Sequence, residues 1–296
     1  NIDNLTINFA KPVLMEQGDL KFDNTTNIII NSEKSFSMRD LISDESNNFD
    51  NLKTFTIIGQ DTVSVEDTVG TQQLENINIS SKNSMHLGNL GTDSLSDLEI
   101  MSMNGNISIS DVKFSSTGDN SKLKISSKGE IDNGSGSAFN VSNSSGGITA
   151  TISDASISSD SHGIKVNFLI SEMGKGVIEL VSNNTNGLLT SITNAGTIDS
   201  NQTSKIILGN ASVGKTNNIT IGGEADNIEI TGGDGTDLIS FSDKSQIKNL
   251  NISLGAGQDK INFSNIQGSE NTPITNGLSI NLGTDNFNVL TGVVVP

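Results

Sequence analysis

Cysteine is absent from this chain of 296 residues. The absence excludes disulfide bonds, thiolate zinc sites and cysteine nucleophiles. Secreted proteins with small cores often depend on disulfides for stability. A secreted chain without them needs another kind of staple, and bound metal ions can serve as one.

Large aromatic side chains are scarce as well. The sequence has no tryptophan and no tyrosine, and hydrophobic residues make up only 33% of it. An average domain is about 45–50% apolar when glycine is counted. A compact globule of this length would use more large side chains, whereas a narrow, elongated fold buries only a few in each layer. The composition therefore favours an elongated fold.

Positive charge is also in short supply. The formal net charge is −17, and Arg39 is the only arginine. Nucleic acids and anionic membranes are bound by clustered lysine and arginine, so we expect neither as a partner. No apolar run approaches the ~20 residues that span a bilayer, so we expect no membrane insertion. The excess of carboxylates suits an environment rich in divalent cations.

Side chains that typically carry catalysis are few. His86 and His162 are the only histidines, and no motif surrounds either of them. A zinc site or a nucleophilic triad would need more partners than these two residues offer. We therefore predict that both histidines lie on the surface and that the chain is not an enzyme.

Short apolar triplets alternate with turn residues from about residue 73 onward. Period-two alternation is typical of strands with one buried face, and only three prolines interrupt the chain. Asn and Ser recur beside the strands, where they can form ladders between stacked coils. The pattern predicts an all-β fold, a parallel β-solenoid of the β-helix or β-roll kind, with tandem β-sandwich domains as the alternative. The triplets include Ile77–Ile79, Ile107–Ile109, Leu123–Ile125, Val166–Phe168, Ile219–Ile221, Ile228–Ile230 and Leu278–Ile280.

The first part of the chain lacks the regular repetition of apolar triplets and turn residues that the rest shows. Residues 1–72 are predicted to form a smaller β-rich segment ahead of a solenoid over residues 73–296. Within that segment, Met38–Ile42 is predicted to be either a helical turn capped by Ser37 or a loop. Glu66–Leu74 is a weak match to helical periodicity.

A glycine-rich motif near the C-terminal end carries the clearest chemistry. Residues 232–240 match the nonapeptide G-G-x-G-x-D-x-U-x at every defined position, and residues 254–262 match it without the first glycine. Residues 222–228 and 283–287 are shortened copies. The glycines allow tight turns beside an ion, the turn carbonyls point inward, and the aspartate supplies the hard oxygen that calcium prefers. The predicted calcium ligands are Gly233, Asp234, Gly235, Asp237, Gly255, Gly257, Asp259, Asp226 and Asp285.

A turn without a metal is the alternative explanation of these glycines, because Asp-Gly is a common turn pair. Calcium is the prediction for Asp237 and Asp259, and both explanations stay open for Asp226 and Asp285. Fainter copies of the motif surround Asp61 and Asp93. For those two residues a simple turn is the prediction.

The motif resembles the repeats-in-toxin (RTX) family of type I secreted proteins, which includes bacterial surface-layer proteins. The resemblance covers residues 222–263, and the remainder resembles surface-layer proteins and adhesins only in its Asn, Ser and Ile content. It implies a parallel β-roll with calcium between successive turns, held by the aspartates and the turn carbonyls. It also implies secretion to the outside of the cell.

The spacing of the motif departs from that family. In a regular β-roll the nonapeptide repeats, so that equivalent turns recur after about 18 residues. Here Asp226, Asp237, Asp259 and Asp285 are separated by 11, 22 and 26 residues. These intervals predict coils of about 20–26 residues. They favour individual calcium staples over a continuous column of ions.

The predicted function is that of a structural surface-layer subunit, stabilised by calcium, that assembles with copies of itself on a bacterial cell. The chain begins at Asn1 without a methionine and ends at Pro296 on an apolar run, so we expect a segment of a longer secreted protein. Attachment to cell-surface polysaccharide would then lie in another part of that protein. The alternatives are an adhesin or carbohydrate-binding module, and a calcium-dependent, polysaccharide-degrading β-helix enzyme.

Overall fold

The structure is a computed structural model, and the part of the chain that it describes consists of nineteen segments. These are residues 3–16, 25–40, 51–69, 74–92, 96–110, 112–116, 121–127, 131–132, 139–143, 147–154, 166–170, 175–182, 189–193, 203–208, 216–222, 224–241, 246–263, 274–283 and 289–291.

All regular secondary structure in the described residues is β-strand, in agreement with the prediction of an all-β fold. The strands are β1 Asn4–Phe9, β2 Val13–Met15, β3 Asn27–Ser32, β4 Phe36–Asp40, β5 Thr54–Gly59, β6 Val63–Val69, β7 Asn76–Ser81, β8 Met85–Thr92, β9 Asp97–Ser102, β10 Ile107–Ile109, β11 Val112–Ser116, β12 Ser121–Ser127, β13 Ile131–Asp132, β14 Phe139–Asn143, β15 Gly147–Asp154, β16 Val166–Ile170, β17 Lys175–Ser182, β18 Leu189–Thr193, β19 Ser204–Leu208, β20 Thr216–Gly222, β21 Glu224–Thr231, β22 Thr236–Phe241, β23 Gln246–Ser253, β24 Lys260–Asn262, β25 Ile274–Asn281 and β26 Val289–Thr291.

The strands form three parallel sheets. The long sheet has 12 strands in the order β1-β3-β5-β7-β9-β12-β15-β17-β19-β21-β23-β25. The second sheet follows the order β16-β14-β11-β8-β6-β4-β2, with β10 and β13 beside it, and the third sheet follows β18-β20-β22-β24-β26. The chain therefore alternates between the long sheet and one of the other two. This path is that of a parallel β-solenoid, and it excludes the antiparallel sandwich alternative.

One coil of the solenoid is a long-sheet strand, a corner, a strand of the second or third sheet, and the return to the long sheet. Asn76 pairs with Asp97, 21 residues later, and Thr149 pairs with Val177, 28 residues later. These are the shortest and longest coils among the long-sheet pairings. The coil length predicted from the aspartate spacing is thus close to the observed one, and low at its upper end.

Strands from both sides of residue 72 pair with one another. In the long sheet β5 pairs with β7, and in the second sheet β6 pairs with β8. The division into residues 1–72 and 73–296 stays a prediction about domains, but the same sheets include strands of both parts.

The helical turn or loop predicted around Met38 is wrong for the described residues, because Phe36–Asp40 is strand β4. Phe36 and Met38 are buried while Ser37 and Arg39 point the other way, which is the period-two alternation of a strand. Pairing of β4 with β2 and β6 satisfies its backbone on both sides. The weak helical match that begins at Glu66 is likewise overruled, since β6 continues to Val69.

The core is built from columns, which are sets of residues at the same position on successive coils. Ile28, Phe55, Ile77, Leu98 and Leu123 form one such column, because each pairs in register with the next. All five are buried. Each coil thus buries only a few Ile, Leu, Val, Met or Phe side chains, which explains why the composition is poor in large apolar residues.

The outer faces carry ladders of polar side chains in the same register. The Asn27 Nδ2 donates to the Asn4 Oδ1 at 2.7 Å, and the Asn249 Nδ2 donates to the Asn227 Oδ1 at 2.7 Å. The guanidinium of Arg39 lies 3.1 Å from the Glu16 carboxylate on one side and 3.5 Å from that of Glu66 on the other. The side-chain ladders expected from the Asn content are therefore confirmed.

Replacing a core isoleucine should cost far more stability than replacing its outward neighbour on the same strand. Ile30 is fully buried between Ile7 and Ile57, whereas Ile29 faces outward and is half-buried. We expect Ile30→Ala to lower the free energy of unfolding by about 2–5 kcal/mol because it leaves a cavity. Ile29→Ala should lower it by about 1 kcal/mol or less. Urea unfolding followed by circular dichroism measures both, and equal losses would contradict the assigned facing of β3.

Candidate metal centre

Serine hydroxyls close the corners in the N-terminal half of the solenoid. Ser81, Ser102 and Ser127 end long-sheet strands and form one column of buried side chains. The Ser81 Oγ donates to the Asp61 carbonyl at 2.6 Å, the Ser102 Oγ to the Asn83 carbonyl at 2.6 Å, and the Ser127 Oγ to the Gly105 carbonyl at 2.8 Å. Each hydroxyl therefore satisfies a carbonyl in the corner of the preceding coil. We call this set the serine column.

The last two glycine-rich corners have no hydroxyl at that position. By the register of the long sheet, Gly232 and Leu254 occupy the position of the serine column. The glycine-rich corners 232–235 and 254–257 follow them. An inter-coil bond of the kind that Ser81 and Ser102 make is therefore not available from these two residues.

The glycine-rich corners stack directly on each other. A side-chain carbon on Gly255 would overlap with the carbonyl oxygen of Gly233, and one on Gly257 would overlap with that of Gly235. Gly257 also has a positive φ of 146°, which other residues rarely adopt. Carbonyl oxygens of one corner thus face the next corner at close range, and only glycine leaves room for them.

Three polar side chains stand in the core beside these corners. Asp237 is the second residue of β22, where it takes the first inward position ahead of Ile239 and Phe241. Asn217 pairs with Asp237 in register from β20, and Asp259 immediately precedes β24. In the second sheet the first inward position of the strand after the corner is apolar, with Phe36, Val63 and Met85. We call Asn217, Asp237 and Asp259 the polar column, and all three are buried, with exposed fractions of 0%, 0% and 1%.

Hydrogen bonds connect the members of the polar column. The Asn217 Nδ2 donates to the Asp237 Oδ1 at 2.7 Å, and the backbone N–H of Asp237 donates to the Asp259 Oδ1 at 3.0 Å. The Asp237 Oδ2 is buried and has no hydrogen-bond partner among the described residues. It faces Gly232, where a side-chain carbon would overlap with it. Only a residue without a side chain at position 232 lets this unpartnered oxygen lie so close to the backbone, next to Leu254 of the following coil.

The electrostatics of this pair are unfavourable for two bare carboxylates. Burial raises the pKa of Asp237 to about 7, and the charge of Asp259 adds to the rise. Hydrogen bonds from Asn217 and from the Gly233 backbone act in the opposite direction. The described residues that act on the pKa of Asp237 include no positive side chain. A buried charge of this kind needs either a proton or a cation.

The predicted ligands are brought together only in part. Asp237, Asp259 and the glycines Gly233, Gly235, Gly255 and Gly257 lie in two adjacent coils, and Asp234 is exposed at the tip of its corner. Asp226 lies in strand β21 of the long sheet, whereas the polar column lies at the starts of strands of the third sheet. Asp285, Asp93 and His162 lie outside the described residues, and His86 is exposed on β8 as expected.

Asp61 lies in a corner, as expected for a simple turn. Its carboxylate accepts hydrogen bonds from the Asn83 side chain at 2.8 Å and from the Ser35 hydroxyl at 2.9 Å. These two bonds hold the pKa of Asp61 below its ordinary value, Asn83 contributing more than Ser35. Asp61 thus ties together the corners of three coils through neutral partners.

Sequence reasoning missed Asn217 and the serine column. A signal for Asn217 was present, because Thr216-Asn217-Asn218-Ile219 precedes Thr236-Asp237-Leu238-Ile239 by one coil and matches it at three of four positions in type. The serine column had no comparable signal, since serine is abundant throughout and its burial follows only from the register.

The residues present fit a calcium ion on two observations: the Asp237 Oδ2 is buried without a hydrogen-bond partner among the described residues, and it lies against Gly232, which has no side chain to cover it. Among the described residues, no three His, Cys, Asp or Glu side chains are grouped so that they could hold a metal ion together. Asp237 and Asp259 would therefore supply the carboxylate oxygens, and corner carbonyls would supply the rest. An all-oxygen set with several carbonyls is one that calcium accepts.

In comparisons with known proteins, no family model, no curated protein and no solved structure significantly matches the chain. Within the described part of the chain, no helix has the length and apolar character that crossing a bilayer requires.

Without metal ions, the protein should lose stability as the pH rises toward neutrality. Because the pKa of Asp237 is raised in the folded state, neutral Asp237 stabilises the fold fully below 3.8, and this contribution is lost as the pH rises through about 7. The loss should approach ~1.4 kcal/mol per pH unit between those values. Urea unfolding in chelator at pH 5 and pH 8 measures it for the wild type and for Asp237→Asn. The variant, which has no carboxyl to titrate there, should show a smaller decline, and equal declines would contradict the assignment.

Proposed function

We propose that this chain is a calcium-stabilised structural subunit of a surface layer, secreted and assembled with copies of itself outside a bacterial cell. The observation that carries the proposal is the buried pair Asp237 and Asp259, which stands in a core position beside stacked glycine corners. These two coils contain the residues on which the resemblance to RTX proteins depends.

Charge compensation supports a divalent cation in particular. Two buried carboxylates at successive positions of one column repel each other, and a doubly charged ion can neutralise both at once. The candidate ligands in the polar column are the carboxylate oxygens of Asp237 and Asp259, and Asn217 is its only nitrogen-bearing side chain. Oxygen-only coordination favours calcium over the transition metals, which prefer nitrogen and sulfur ligands.

Calcium would also link folding to location. An ion that binds the folded chain alone adds its binding free energy to the free energy of folding. Where free calcium is scarce, as inside a cell, the coils of Asp237 and Asp259 would lack the ion that stabilises them. Where calcium is plentiful, the ion would bind and these coils would fold.

The structural role is supported by the form of the molecule. The long sheet is one continuous parallel ladder from β1 to β25, and its outer face carries Asn ladders and ion pairs. Solenoids of this kind present extended surfaces that suit repeated lateral contacts. The excess negative charge of the chain would oppose such contacts, and calcium in the medium would reduce that repulsion.

Calcium should raise the thermal midpoint of the purified protein. An ion at about 100 times its Kd adds about 2.7 kcal/mol to the stability of the folded state, which corresponds to a shift of several degrees. We expect Asp237→Asn to remove most of this shift, because the substitution removes the charged oxygen beside Gly232. Melting curves by circular dichroism, with calcium and with chelator, measure the effect.

Glu33→Gln is the control for this experiment. It removes an exposed carboxylate from a corner in the N-terminal half, far along the chain from the predicted ligands. It should therefore keep most of the calcium shift. Coincident melting curves of the wild type in calcium and chelator would show that the glycine corners are turns without metal.

Assembly distinguishes the proposed function from the alternatives. We expect the pure protein to form ordered sheets when calcium is added and to release them in chelator, as seen by negative-stain electron microscopy. A protein that stays monomeric in calcium and binds polysaccharide would instead be an adhesin or carbohydrate-binding module. One that releases sugar from polysaccharide would be an enzyme, and either outcome would overturn the surface-layer proposal.

A further inference from the structure

We infer that Asn217 ends the metal site on its N-terminal side, so that a cation binds between the coils of Asp237 and Asp259 and none binds between those of Asn217 and Asp237. This inference rests on the proposed calcium site. It assigns a role to a residue that lies outside the glycine-rich motif.

Asn217 occupies the position in its coil that Asp237 and Asp259 occupy in the next two coils. It pairs in register with Asp237, and both side chains are completely buried at the first inward position of their strands. Asn and Asp have nearly the same shape, so the two side chains occupy equivalent places in successive coils. The difference between them is that the amide carries N–H groups and no charge.

The direction of the hydrogen bond gives Asn217 this role. Its Nδ2 donates to the Asp237 Oδ1 at 2.7 Å, so an N–H points at the oxygen that a cation on that side would have to approach. The amide thereby occupies a lone pair of Oδ1 and presents partial positive charge to any ion between the two coils. On that side a neutral donor already does what a cation would do.

The other side of Asp237 is different. There the Oδ2 lacks a hydrogen-bond partner among the described residues and lies against Gly232, next to Leu254 of the following coil. The next side chain in the column is the carboxylate of Asp259, which accepts the backbone N–H of Asp237 through its Oδ1. The gap between Asp237 and Asp259 is therefore flanked by two carboxylates. The gap between Asn217 and Asp237 is flanked by one amide and one carboxylate.

Converting the amide into a carboxylate should create a further cation site. We expect Asn217→Asp to bind one more calcium ion per chain than the wild type, as measured by isothermal titration calorimetry and by metal analysis after dialysis. Asn218→Asp is the matched control, because it adds the same charge to the next residue of β20, whose side chain points outward and is half-buried. The control should bind the same number of ions as the wild type.

Each outcome is informative about Asn217. An unchanged ion count in Asn217→Asp, with folding confirmed by circular dichroism, would overturn the inference. So would an unchanged count with tighter binding, because Asn217 would then be a ligand of the existing ion. A wild-type chain that binds no calcium would refute the proposed function itself, which separates the two failures.

A second variant covers the case in which Asn217→Asp does not fold. Asp237→Asn places an amide one coil further along the column and removes a buried charge, so it should fold. If a cation needs carboxylates on both sides, this variant should bind one ion fewer than the wild type. An unchanged ion count in Asp237→Asn would also overturn the inference.

Discussion

The register of the parallel hydrogen-bond ladder is the constraint on which the rest of this structure depends. Each strand of the long sheet lies on the equivalent strand of the previous coil, so each side chain is placed against its counterpart about one coil earlier. Every position therefore has to tolerate its own neighbour in the column. Apolar side chains do so by packing, and Asn side chains do so by donating to one another.

Charged side chains tolerate this stacking poorly, and the chain deals with them in two ways. On the outside, a charge alternates with its opposite, as Arg39 does between Glu16 and Glu66, and Lys124 does with Glu99. In the core the same solution is absent around Asp237, since the described charge that acts on its pKa is the like charge of Asp259. Among the described residues, no positive side chain acts on the pKa of Asp237. This is the physical reason why the proposed function includes a cation at these coils.

The fold could be predicted well from the sequence because period-two alternation and turn residues are local signals. The β4 strand was mistaken for a helical turn or loop because Met38–Ile42 is short, and only its pairing with Met15 and Val65 makes its facing evident. Asp237 and Asp259 could be singled out from the nonapeptide, because the motif is a local pattern of glycines followed by one aspartate. Asn217 was missed although residues 216–219 are similar to residues 236–239, and Ser102 could not be found, because the roles of both arise from register and burial, which connect residues about 20 positions apart.

The serine column has a consequence for how the chain responds to its surroundings. Hydroxyl groups are not removed by chelators and do not titrate in the physiological pH range. The hydrogen bonds of Ser81, Ser102 and Ser127 at their corners therefore need no metal ion. A calcium ion at Asp237 and Asp259, as proposed above, would instead make their corners depend on the medium. One sheet would then join coils whose corners need no ion to coils whose corners need one. The ion-independent coils would act as a template, because their last strand offers a preformed edge on which the calcium-dependent coils would align once ions arrive.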